Sequence, residues 1–290
     1  MLYKSISEEL VAKLTWKAQK LRLDTFEMIY RRGNGHWGGS SSVTEILTSL
    51  YFAFLNVKSN DPDWEERDRL ILSKGHAAPV LYQILSEKGY FPKEILSGFR
   101  SFGSILQGHP CMNKTPGVDM STGALGHGVS VAVGMALASQ IKGIKNRTVV
   151  IIGEGDLNEG ETWEGFMSAA KFRPPGLIIL IDYNKVQLDG PEKKIMPIEP
   201  LELKLKSFNL NLCPLKCDGH NINDILNSFE WISKQSEWPV TVVYNTIKGK
   251  GISFTENNHK WHGAPIDDES FRKGNVELIV KLKAITDGSI

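Results

Sequence analysis

A chain of 290 residues, 41% of them hydrophobic, is long enough to bury a large core, and one α/β domain spanning residues 1–290 is the expected organisation. Lys and Arg total 34 against 33 Asp and Glu, a net charge of +1 with no basic block or acidic tail, which excludes a nucleic-acid footprint and favours a small charged ligand. No apolar run approaches a membrane span, the N-terminus lacks an apolar signal core, and three cysteines do not make a disulfide framework, so a cytoplasmic protein with reduced thiols is expected.

Ser7-Glu8-Glu9 followed by Leu10, Leu14, Leu21, Phe26 and Ile29 predicts an amphipathic helix over 7–31. It runs into a loop holding Gly33, Gly35, Gly38 and Gly39, where backbone can approach a ligand closely or merely turn between helices. Ser42-Val-Thr-Glu45 reads as a capping box ahead of Leu47, Leu50, Tyr51 and Phe54. After a polar turn at 61–64, residues 68–77 read as a short strand breaking into a loop before another helix. The loops at 107–110 and 115–128 lead into Val131, Ala132, Val133, Gly134, Met135, Ala136 and Ala138, small residues suited to a buried helix.

The stretch around which the chain is organised follows. Residues 149–153 and 177–183 read as buried parallel strands, joined by a helix over 161–172 that stops before Pro174-Pro175-Gly176. This βαβ unit delivers Glu154 after its first strand and Asp182 and Asn184 after its second, where strand carboxyl ends form a ligand crevice. A phosphate carrying a divalent cation is the expected guest. Glu154, the Asn184 amide oxygen and the Val186 carbonyl would supply half of an octahedral oxygen shell for Mg²⁺, with Ca²⁺ or Mn²⁺ as more tolerant ions, and Asp156 is the alternative carboxylate. Asn158 and Glu161, three apart, also read as a plain capping pair, with Glu159 favouring the positive helix end.

Residues 191–206 read as a surface excursion with a short helix, and 210–217 as a strand ending at Asp218-Gly219-His220-Asn221, which caps a helix over 222–231. Residues 239–245 read as another core strand, entering two glycine- and histidine-bearing segments at 248–254 and 257–265. Cys213, Cys217 and His220 lack a fourth ligand for zinc, and the cysteines read as core thiols. His259 and His262 are a weak metal pair, and no internal repeat is visible.

In order along the chain stand Gly35-His36-Trp37-Gly38-Gly39-Ser40, Ser73-Lys74-Gly75-His76, Thr122-Gly123-Ala124-Leu125-Gly126-His127-Gly128, Gly153-Glu154-Gly155 with Asn184, and Lys248-Gly249-Lys250-Gly251 with His262-Gly263-Ala264-Pro265. Together they resemble the transketolase family. The match covers nearly the whole chain and is similar to the first of three transketolase domains, the short subunit of two-chain members. Glu154 departs from the family's Asp and Trp37 from its Pro, and Ala124 and His127 also depart. The resemblance implies a doubly wound, mainly parallel sheet flanked by helices that binds the diphosphate of thiamine diphosphate.

It further implies that His76, Gly123, Leu125, Gly153, Gly155, Asn184 and His262 face the cofactor. Glu154, Asn184 and Val186 would hold the metal. His36, His109 and His262 would serve the reaction, and Glu159 would reach across a subunit interface. Histidine suits proton movement near neutral pH, although imidazoles beside glycines also simply close turns. Trp37 is expected at a substrate mouth or against the partner.

The implied reaction moves a two-carbon ketol unit from a ketose, often phosphorylated, to an aldehyde. A pyrimidine-binding domain, expected on a separate C-terminal transketolase subunit, would supply the glutamate that activates the cofactor, and a heterotetramer with two shared active sites is the natural assembly. Because of Glu154, Mg²⁺ dependence is expected to be retained but weaker. Three other readings stand beside this one: the α subunit of a 2-oxo acid dehydrogenase, transfer to a carrier-bound acceptor, and a degenerate regulatory subunit.

Overall fold

The computed structural model describes residues 6–288, and residues 1–5 and 289–290 of the expected domain lie outside the described residues. Helix α1 (Glu8–Arg32) begins at Ser7, whose hydroxyl accepts from Leu10 N at 3.2 Å, and ends on Gly33 in the left-handed region. Three short pieces follow, α2 (Trp37–Ser42), α3 (Thr44–Ser49) and a π-helical turn (Leu50–Phe54). Next come β1 (Arg69–Leu72), α4 (Ala78–Lys88) and α5 (His127–Lys142).

The central βαβ unit is β2 (Thr148–Gly153), α6 (Gly160–Phe172) and β3 (Leu177–Tyr183). The excursion after it carries two short helices rather than one, α7 (Glu192–Ile195) and α8 (Leu201–Ser207). The chain closes with β4 (Asn211–Leu212), β5 (Cys217–Asp218), α9 (Ile222–Ser233), β6 (Val240–Asn245) and α10 (Asp268–Thr286).

Among the described residues the strands form one sheet in the order β1-β2-β3-β6-β4, with β5 also on β6, and every ladder is parallel. The strand expected over 210–217 is split in two. Its first piece pairs with the start of β6 and its second with the end, and Pro214, which has no N–H to give a ladder, lies in the break.

Side-chain alternation divides the core between the two faces of the sheet. Ile71, Val150, Ile152, Ile179 and Ile181 pack with residues of α5 and α6, while Leu70, Leu72, Val149, Ile151, Leu180 and Val242 pack with residues of α1, α3, α4 and α9. Each such fully buried aliphatic chain is worth roughly 1.5–3 kcal/mol. With helices on both faces, the carboxyl ends of β1, β2, β3 and β6 open on one rim of the sheet, where every ligand-facing loop expected above is found.

Three local expectations fail. The glycine-serine stretch is helical from Trp37, not a loop, because hydroxyls bond back to its own carbonyls: Ser40 to His36 O at 2.7 Å and Ser41 to Gly38 O at 3.1 Å. Ser42 therefore ends α2 instead of capping the next helix, and Glu45 turns to Arg22 and His220. α5 is only half buried, since Gly134, Ala138 and Ile141 are exposed.

Candidate functional site

Glu154 leaves the end of β2 and Asn184 the end of β3, and their side-chain oxygens meet at one backbone amide. The Val186 N–H donates to Glu154 Oε1 at 2.8 Å and to Asn184 Oδ1 at 3.2 Å. Lys185, with φ 64, reverses the chain just after Asn184 and so brings Val186 back under β2. The Val186 carbonyl accepts from Lys248 Nζ at 2.7 Å, and the same ammonium donates to Gln187 O at 3.0 Å. Glu154, Asn184, Val186 and Lys248 are all buried.

A set of buried charges lies beneath this turn. Lys74 Nζ pairs with Asp182 Oδ2 and donates to Ser42 Oγ at 3.2 Å, and Asp182 also accepts from Ser42 Oγ at 2.7 Å and from Thr246 Oγ1. Burial alone would raise the Asp182 carboxyl, but the Lys74 ammonium and the two hydroxyls outweigh it and hold it below its ordinary value. Glu154 has no such partner: burial, then repulsion from Asp182, pushes it up to about 7. Burial pulls Lys248 down to about 8 against the opposing pull of Glu154. Lys74 and Lys248 are not singled out as site residues by the sequence patterns above, although each sits beside glycine at the end of a core strand, which is a readable signal.

Asp156 is not available as the alternative metal carboxylate. Its Oδ1 accepts from Ser73 Oγ at 2.5 Å and from Gly126 N at 2.9 Å, and its Oδ2 accepts from Gly153 N at 2.9 Å. Completely buried, it ties the loops after β1 and before α5 to the turn after β2.

Above the turn four half-buried imidazoles converge. The His36 ring lies 5.6 Å from His76, 5.8 Å from His109 and 5.3 Å from His262, and His76 lies 5.0 Å from His262. Glycine makes this approach possible at Gly39, where a Cβ would stand 2.8 Å from the His76 ring, and at Gly263, where it would stand 3.1 Å from His36. Gly123 faces His109 at 3.3 Å in the same sense, and Gly155 faces Leu125 Cδ1 at 2.9 Å. Burial is the first cause that lowers all four histidines, His36 to about 4 and His262 to about 3, so each is neutral at pH 7.

Nδ1 of His36 and Nδ1 of His262 are buried with no hydrogen-bond partner. Turn closure does not account for these two rings, because buried polar nitrogens of that kind are normally bonded. They fit a polar ligand lying among the histidines. Among the described residues no three His, Cys, Asp or Glu side chains converge to hold a metal, so an ion at Val186 would depend on the one Glu154 carboxylate, on amide and carbonyl oxygens and on its ligand's oxygens. Mg²⁺ tolerates that mixture, since it uses one or two carboxylates and shares phosphate oxygens.

The remaining expected residues lie apart from the histidines. Glu159 is exposed at the N-cap of α6, makes no capping bond with its side chain, and lies against Gly126. The capping pair expected of Asn158 and Glu161 does not form: Asn158 Oδ1 accepts from Gln187 Nε2 at 2.5 Å, and Glu161 pairs with His127 Nδ1 at 2.7 Å. Trp37 is neither at a mouth nor on a surface. It is 1% exposed, donates to Thr255 Oγ1 at 3.0 Å and meets Phe26 edge-on. Cys213 and Cys217 are buried core thiols.

Four known relationships place the chain. Residues 15–281 match the family described as transketolase, thiamine diphosphate binding domain. The chain is 43% identical over 265 residues to the 6-deoxy-6-sulfo-D-fructose transketolase subunit of a Clostridium species, an alignment covering 91% of this chain and 96% of that one. It is also 43% identical over 228 residues to one of the apulose-4-phosphate transketolase subunits of Actinobacillus succinogenes, covering 79% and 82%. Among solved structures, the transketolase of Campylobacter jejuni overlays with a TM-score of 0.85 at 28% identity, covering 94% of this chain and 45% of that one. The chain thus spans less than half of the Campylobacter protein and nearly the whole of the Clostridium one.

Proposed function

This chain belongs to the transketolase family as its thiamine diphosphate binding domain, and from that premise we propose that it is the diphosphate-gripping subunit of a two-chain transketolase. The observation that carries the reading is the meeting of Glu154 and Asn184 at the Val186 amide, below a histidine cluster with unpartnered nitrogens. The enzyme moves a two-carbon ketol unit from a ketose to an aldehyde acceptor. Its partner is a C-terminal subunit carrying the pyrimidine-binding domain, and the assembly is a heterotetramer with two active sites at the subunit boundary. Glu159, exposed on α6, reaches toward that partner.

Thiamine diphosphate supplies the electron sink for carbon–carbon bond cleavage. The chain's own residues do the rest. Glu154, Asn184 and the Val186 carbonyl hold Mg²⁺, or Ca²⁺ or Mn²⁺ in its place. Gly153, Gly155, Gly123 and Leu125 shape the cradle, and His76 and His262 offer neutral ring nitrogens to the diphosphate. Lys74 and Lys248 provide the positive charge that those neutral rings lack.

His36 and His109 orient the donor's hydroxyls and, being neutral at pH 7, can accept a proton before they give one. Arg100, bonded to Asn34 Oδ1 and adding a positive field at His36 and His109, suits a donor with an anionic tail. Sulfo and phosphate groups are named in the two related subunits.

Glu154 is the one feature favouring a regulatory subunit, and its position beside Asn184 supports the catalytic reading instead. Among the described residues no helix is long and apolar enough to cross a membrane. A cytoplasmic setting, expected from the sequence, is part of the proposal. Titration calorimetry with thiamine diphosphate and Mg²⁺, with and without the partner, tests the reading. Saturable binding in the partner's presence is expected, and no binding under either condition would overturn it.

A further inference from the structure

We infer that Lys248 is a resident cation that competes with the divalent ion for the Val186 carbonyl, so that the metal is retained only when diphosphate charge accompanies it. The inference rests on the reading of Glu154, Asn184 and Val186 as the metal's donors, and it gives Lys248 a second role beside its charge toward the diphosphate.

Lys248 is built into place rather than resting there. The turn that carries it is fixed by Ile247 N donating to His220 Nε2 at 2.8 Å, by Gly249 N donating to Gly38 O at 3.1 Å and by Asn257 N donating to Lys248 O at 2.8 Å. His220 is itself held by Glu45 at 3.0 Å, and Glu45 by Arg22. The lysine stem runs past Gly38, where a Cβ would stand 3.0 Å from Lys248 Cγ. The residue is 3% exposed and spends two of its three ammonium donors on Val186 O and Gln187 O.

Charge counting then sets the direction. The buried cations here are Lys74 and Lys248, and the buried carboxylates that feel them are Glu154, Asp182 and, through Lys74, Asp156. Asp156 is taken up by Ser73, Gly126 and Gly153, and Asp182 by Lys74, Ser42 and Thr246, which leaves Glu154 as the one carboxylate at the Val186 turn. A divalent ion at the Val186 carbonyl would add two positive charges beside an ammonium already bonded to the same oxygen. Buried charge without counter-charge is strongly disfavoured. The diphosphate supplies that counter-charge, so ion and anion enter favourably together and the ion alone does not.

The test is Mn²⁺ binding to the full-length chain, with the free-ion signal followed by electron paramagnetic resonance in the absence of any diphosphate. Lys248→Met, which keeps an apolar stem and removes the charge, is expected to bind Mn²⁺ at least tenfold tighter than the wild type. That difference should shrink when thiamine diphosphate is added. Lys248→Gln, which keeps a donor for the carbonyls without the charge, should behave the same way and serves if the Met variant does not fold. Equal or weaker Mn²⁺ binding by natively folded variants would overturn the inference while leaving the site reading intact. Failure of the wild type with its partner to take up thiamine diphosphate and metal at all would overturn both.

Discussion

The Glu154 carboxylate takes the Val186 amide hydrogen at 2.8 Å, spanning from the end of one core strand to the turn beyond the next. A side chain one methylene shorter would not make that reach, so the extra carbon of glutamate is occupied in holding the turn. Glu154→Asp is expected to give up this bond and direct its carboxylate to the ion. Thiamine diphosphate affinity in Mg²⁺ should then rise about three- to tenfold, an arithmetic change of roughly 0.7–1.4 kcal/mol. Calorimetry of the variant with its partner measures it, and unchanged or weaker binding would show that glutamate is the better-fitted residue here.

The buried histidines set a pH dependence for the free protein. His36 and His262 are held at about 4 and about 3, below the ordinary 6.5, so between those limits the unfolded chain binds protons that the folded one refuses. Stability from these rings is complete above pH 6.5 and is lost as the pH falls. Glu154, raised to about 7 from 4.5, works in the opposite sense, binding a proton in the fold over that window. Two histidines outweigh one glutamate. Denaturant titration should show a net loss of roughly 1–2 kcal/mol between pH 6.5 and 4.5 once solvent screening of the half-exposed rings is counted. A flat or rising profile would contradict the assignment.

Arg22, Glu45 and His220 form a buried chain that ends at the Ile247 amide. Burial raises the Glu45 carboxyl, yet the Arg22 cation and then His220 overcome this and bring it to about 2. Removing the middle member by Glu45→Ala leaves a buried guanidinium without its counter-charge, at a cost of about 3–5 kcal/mol. A melting temperature within a degree of the wild type would be incompatible with this chain of contacts.

Gly39→Ala and Gly155→Ala separate a rigid cradle from a yielding one. The new methyl at position 39 meets the His76 ring at 2.8 Å, whereas at 155 it meets only the end of Leu125 at 2.9 Å, which can rotate away. Cofactor affinity should therefore fall at least tenfold in the first and by less than threefold in the second. Circular dichroism should remain native in both, and equal losses would count against the packing described.

Trp37→Ala belongs to the core, not to specificity. Deleting a fully buried indole is expected to cost about 3–5 kcal/mol. Donor preference in the surviving fraction should be unaltered, and a changed preference without loss of stability would return the residue to the substrate mouth.

The contrast between legible and illegible parts follows from distance along the chain. β2, α6 and β3 can be read directly because unbroken β-branched runs and the Pro174-Pro175-Gly176 stop are local signals. The convergence of Glu154 and Asn184 is legible for the same reason, as both follow from one βαβ unit. α2 is not, since a Gly-Gly-Ser-Ser-Ser stretch has poor helix propensity and is held by back-bonded hydroxyls and packing. The capping motif at Ser42 misleads because its hydroxyl is engaged by Asp182, 140 residues away. Lys74 and Lys248 acquire their meaning only from carboxylates and carbonyls on other strands, and no spacing rule shows that.

Because a single carboxylate, Asp156, gathers Ser73, Gly126 and Gly153, the pocket floor is a shared component rather than a set of interchangeable parts. Transplanting any one of these segments from a relative with different preferences would strand the other two. Redesign of this protein toward new sugars is therefore better begun at the rim, where Arg100 stands, than at the base.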